Sequence, residues 1–140
     1  MKTLLTIYTL VFTVMFSSTS HADWTKVDEF GGETHYVDFE RIRKVDGFVY
    51  YWVLVDYLKP ENTGELSAKA YQQGDCKLFR YKYLSISSHK EPMGVGSGKS
   101  FTYNDNDWKY PPPNSSGEVI LKEVCQWRGY WTKSGNIREW

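Results

Sequence analysis

Three observations predict an α+β fold: an antiparallel sheet of about five to six strands, with a C-terminal helix packed on one face and tied there by a disulfide. Extended segments alternating apolar and polar side chains follow one another through short turn signals. One amphipathic helical stripe lies near the C-terminus, and the two cysteines, Cys76 and Cys125, fall one in each part. Parallel strands would need a crossover helix between each pair, and the connections are too short for that.

Taken in order, Trp24 to Phe30 alternates, Gly31-Gly32 supplies a turn, and Thr34 to Val37 continues extended, which reads as a hairpin. Asp38 to Lys44 is a charged connection holding Phe39 and Ile42, and Asp46-Gly47 is the next turn signal. Phe48 to Leu58 follows, the most apolar stretch after the N-terminal segment. Phe48, Tyr50, Trp52 and Leu54 share one face and Val49, Tyr51, Val53 and Val55 the other, as in a central strand covered on both sides. After the loop Lys59 to Gly64, Ser67 to Tyr71 and Leu78 to Ser87 read as two strands separated by Gly74-Asp75. In the second of them Phe79, Tyr81 and Tyr83 oppose Arg80 and Lys82. Pro92 to Ser100 is glycine-rich and loop-like, Phe101 to Trp108 reads as a short strand, and Pro111-Pro112-Pro113 stops regular structure. Ser115 and Glu118 form a capping box, and Ile120, Leu121, Val124, Cys125 and Trp127 line one side of a helix that Gly129 ends. Residues 126–140 read either as a final edge strand or as a tail.

The N-terminus has one cation, Lys2, then an apolar run from Leu4 to Phe16, then Ser20-His21-Ala22. The run is too short to span a bilayer and the small-x-small ending suits signal peptidase, so residues 1–22 are expected to be a cleaved signal peptide and residues 23–140 a single exported domain with no transmembrane segment. The destination is the periplasm or the outer cell surface. With no cysteine near the cleavage site, the chain is not expected to be a lipoprotein. In an oxidising compartment the two cysteines most simply pair with each other; free thiols or metal ligands are the alternatives, and His35 and His89 stand at no ligand spacing from either.

Composition narrows the function. With 17 basic and 17 acidic residues, bulk attraction to nucleic acid is not expected. Six Trp, eleven Tyr and seven Phe exceed what a disordered chain carries. The string Gly94 to Ser100 ends like a phosphate-binding loop, but Met93 occupies the place of its first glycine and no strand-to-helix context surrounds it. Asn104-Asp105-Asn106-Asp107 lacks the glycine and distal glutamate of a calcium loop and reads as a polar turn. No nucleophile elbow or singled-out carboxylate pair is present, so no catalytic residue, cofactor site or metal site is assigned and no enzyme is expected. Arg41, Arg43 and Lys44, and separately Arg80 and Lys82, lie near aromatic residues as candidate ligand-binding patches for an acidic polymer.

One ordered set of residues is familiar: Trp24, Tyr36-Val37-Asp38 with Ile42, Val55-Asp56-Tyr57, Gly74-Asp75-Cys76, Met93-Gly94-Val95-Gly96, Trp108 before the prolines, and Val124-Cys125. From Trp24 to Cys125 the chain resembles the bacterial surface-adhesin protein E-like family. The resemblance implies one cysteine on a strand joined to another on a terminal helix, and a non-enzymatic adhesin-like module binding host extracellular-matrix or plasma proteins such as vitronectin, laminin or plasminogen. A homodimer is one assembly that it allows. The other reading is a soluble periplasmic protein of the same fold, binding an envelope partner or a small ligand between helix and sheet.

Overall fold

The computed structural model describes residues 22–104 and 106–128. The signal peptide, its cleavage after Ala22, the Gly129 stop and the segment 130–140 lie outside or at the limit of the described residues. Seven strands form one antiparallel sheet: β1 (Trp24–Phe30), β2 (Glu33–Asp38), β3 (Arg43–Val45), β4 (Phe48–Tyr57), β5 (Ser67–Asp75), β6 (Arg80–His89) and β7 (Gly98–Thr102). Their order is β1-β2-β4-β5-β6-β7, and β3 pairs with the part of β4 that β2 does not reach. The sheet is therefore six strands wide. One helix, α1 (Ser116–Gln126), lies on one face.

The alternation of β4 decides which face the helix takes. Val49, Tyr51 and Val53 are fully buried against Ile120, Leu121 and Val124 of α1, together with Val37 of β2. On the other face Leu54 is also fully buried, but Phe48, Tyr50 and Trp52 are only half-buried, so the expected cover on both sides holds for part of the strand. Burying an apolar stripe of this size contributes about 1.5–3 kcal/mol per large side chain, and α1 supplies three.

Gly74-Asp75 is strand, not turn. Gly74 belongs there for lack of space: a Cβ at that position would lie 2.8 Å from Val49 Cγ1 and 2.9 Å from Leu121 Cδ1. The turn falls on residues 76–79, where Asp75 Oδ1 accepts from the backbone N–H groups of Lys77 (3.1 Å) and Leu78 (3.0 Å). Cys76 thus begins a turn rather than occupying a strand. It is bonded to Cys125 of α1, with the two Cα atoms 5.7 Å apart.

Two further corrections concern strand bounds. Arg43 and Lys44, read as part of the connection, form with Val45 a strand that pairs with Phe48–Tyr50 through the Asp46-Gly47 turn. The glycine-rich stretch is partly strand: β7 begins at Gly98, where a Cβ would fall 1.5 Å from the Ser88 carbonyl oxygen, and it ends at Thr102, short of Trp108. At the helix start Ser115 Oγ accepts from Glu118 N–H, as a cap does, but the Glu118 carboxylate accepts from Asn114 N–H (2.7 Å) rather than from Ser115.

Candidate functional site

The face that α1 leaves bare carries a set of aromatic and cationic side chains. Residues paired in register share a face, so Arg43, Tyr50, Gln73 and Lys82 form one row across β3, β4, β5 and β6. The next row toward the loop end holds Trp52, Tyr71 and Ser85. Trp52 and Tyr71 stack with centroids 4.8 Å apart, and Tyr50 lies 6.3 Å from Tyr71.

Trp108 completes this face from outside the sheet. Tyr81 and Lys109 exchange two backbone hydrogen bonds (2.7 and 3.0 Å), which places the segment beside β6. Trp108 then stacks on Phe48 at 5.9 Å, with the Arg80 guanidinium 4.4 Å and the Lys82 ammonium 5.0 Å from its ring. Arg80 Nε donates to Asp75 Oδ2 (3.1 Å), and Lys82 Nζ to Asn106 Oδ1 (2.9 Å). The Leu78 backbone N–H, followed by the Arg80 guanidinium, holds the Asp75 carboxyl below the ordinary aspartate range, so Asp75 faces Arg80 as a carboxylate at neutral pH.

The five cations singled out in the sequence do not form one patch. Arg41 pairs with the buried Asp38 (3.1 Å). Arg43 and Lys44 are consecutive strand residues and point to opposite faces; Lys44 Nζ donates to the Trp127 carbonyl (3.0 Å), just past the C-terminal end of α1, where a cation is favoured. Arg80 and Lys82, two apart, share the bare face with Arg43. Trp108, quoted for the family resemblance, was not among the candidate binding residues; the Tyr81–Lys109 pairing brings it to Phe48. Phe48, Tyr50 and Trp52 were legible as one face of a strand.

Between sheet and helix lies a second feature, a cleft of about 180 Å³ near the first turn of α1. Ala68 and Ala70 form its floor, with Val53, Val55, Tyr83 and Ile86 among its walls. His35 borders it. Burial pushes the His35 imidazole below its ordinary pKa, opposed by the Glu33 and Asp28 carboxylates, with Glu33 Oε2 3.5 Å from Nε2. A neutral buried imidazole binds its proton more weakly than in the unfolded chain. Stability is therefore complete above about pH 6.5 and declines as pH falls through the unfolded and then the folded value. The thermal midpoint of His35→Gln is expected to fall less than that of the wild type between pH 7 and 5; parallel curves in thermal denaturation would refute the assignment.

The remaining motifs resolve into structure. His89 Nδ1 bonds the Gly96 carbonyl (2.9 Å) inside the glycine-rich stretch, Asn106 serves Lys82, and Asp107 pairs with Lys109. Among the described residues no group of three His, Cys, Asp or Glu side chains is placed to hold a metal, and no helix is long and apolar enough to cross a membrane.

A family model described as surface-adhesin protein E matches residues 24–126. Among solved structures, crystal form II of Haemophilus influenzae protein E is similar at 16 % identity and a TM-score of 0.49, over 72 % of this chain and 95 % of that chain. No curated protein matches the chain.

Proposed function

This chain belongs to the surface-adhesin protein E family, and from that premise we propose that it is a non-enzymatic module, exported through a signal peptide ending at Ala22, that binds host extracellular-matrix or plasma proteins with the bare face of its sheet. The observation that carries this reading is Trp108, whose ring stacks on Phe48 and lies close to both the Arg80 guanidinium and the Lys82 ammonium. Aromatic and arginine side chains, partly desolvated and locked by their neighbours, are the groups that dominate protein recognition energies. The helix-side cleft supports the small-ligand alternative less well, because about 180 Å³ falls below the roughly 300–1,000 Å³ of ordinary ligand pockets.

Two measurements test the proposal. On intact cells, protease or antibody is expected to reach the domain while a periplasmic control protein stays protected. The purified protein is expected to bind immobilised vitronectin, laminin or plasminogen, more weakly as salt rises past about 0.15 M, since the cations are near the surface. Absence of binding at low salt, or a domain hidden until the outer membrane is opened, would overturn it.

A further inference from the structure

We propose that the bare face recognises an acidic polysaccharide of the host matrix, a chain bearing carboxylate and sulfate groups at regular intervals; this rests on the surface proposed above and names the chemistry it contacts. The row Arg43–Tyr50–Gln73–Lys82 crosses four adjacent strands. At about 4.8 Å per strand its two cations are rooted about 14 Å apart. The backbone fixes that separation, which suits a polymer whose anions recur along an extended chain.

Each cation has donors left over. Arg43 is exposed and has no ion-pair partner among the described residues. The Lys82 ammonium has three N–H groups, of which Asn106 takes one. Arg80 gives Nε to Asp75 and Nη1 to Tyr110, with its guanidinium carbon over the Trp108 ring and its second terminal nitrogen outside both of those bonds. Between the cations, Tyr50, Tyr71 and Trp52 present stacked or tilted rings, each with an apolar body to receive the C–H face of a sugar. Tyr50 and Tyr71 add hydroxyls for its polar edge.

The alternatives fit less well. A small anion needs an enclosing pocket, whereas these groups are spread over a sheet face. An acidic peptide would be captured most simply along a strand edge, whereas this row runs across four strands.

The test uses a fluorescent heparin hexasaccharide and the protein purified as exported from its full-length precursor, with the same fragment after desulfation and a neutral dextran as controls. The sulfated fragment is expected to bind, and the two controls to bind at least about tenfold more weakly. Arg43→Ala and Lys82→Ala are each expected to weaken binding about tenfold, and together about a hundredfold, since the sites are too far apart to couple. Lys122→Ala, on the exposed side of α1, is expected to change nothing. Unchanged affinity in the double variant, or equal binding of the desulfated fragment, overturns the inference. A second arm treats immobilised matrix with a glycosaminoglycan lyase. Loss of attachment supports the polysaccharide contact, and undiminished attachment overturns it while leaving the adhesin reading intact. No attachment even to untreated matrix overturns both.

Discussion

Replacing Cys76 and Cys125 together with serine is expected to lower the thermal midpoint by about 15 °C. The bond joins residues 49 apart in sequence, and for a loop of that length the loss of unfolded-chain entropy is worth about 4 kcal/mol. In a domain of roughly a hundred residues each kcal/mol moves the midpoint by about 4 °C. The geometry makes the loss more than entropic. Helix α1 has 11 residues, too few to persist unaided, and the bond fixes its C-terminal turn to the end of β5. Without it, Leu121 and Val124 still pack over Val49 and Tyr51, and Lys44 still donates to the Trp127 carbonyl at that end. Differential scanning calorimetry of the oxidised protein and the double variant measures the difference. A fall of less than about 3 °C would mean that the sheet and helix dock independently of the bridge.

Trp108→Ala is expected to weaken binding to matrix or plasma protein about thirtyfold, near 2 kcal/mol, while leaving the helix side of the sheet unaffected. The indole is the only ring that touches Phe48 and both Arg80 and Lys82, as far as the described residues show. Its removal exposes Phe48 and takes the ring away from Arg80 and Lys82, so the apolar contact and both cation–ring contacts go together. Trp108→Phe keeps a ring and is expected to recover part of the affinity. Lys109→Ala is the contrasting variant, since its role at β6 is through the backbone pairing with Tyr81, which alanine retains. Surface plasmon resonance on immobilised ligand checks the series, with circular dichroism confirming the fold. Equal affinities across all three variants would remove Trp108 from the binding surface.

The wide parts of the fold were legible because the signals that specify them are local. The Gly31-Gly32 and Asp46-Gly47 turns, the two-faced run from Phe48, and the stripe of Ile120, Leu121 and Val124 each depend on period or turn chemistry within a few residues. The cysteine pair followed from counting, since an exported chain with two cysteines has one bridge to make. Where the reading missed, a contact from a distant segment was the cause. Gly74 resembled a turn glycine, but the space it vacates is filled by Leu121 from the helix. Gly98 resembled a loop, but it starts an edge strand that passes against the Ser88 carbonyl.

The candidate surface divides the same way. That Arg80 and Lys82 share a face, and that Tyr50 and Trp52 share theirs, follows from the residue spacing alone, because strand side chains alternate with a period of two. The spacing could not determine that these are the same face, that Arg43 joins them while Lys44 turns to the helix end, or that Trp108 reaches across to Phe48. Strand register and the Tyr81–Lys109 pairing decided those points. Both are settled by hydrogen bonds between segments far apart in the chain, and periodicity within one segment carries no information about its partner.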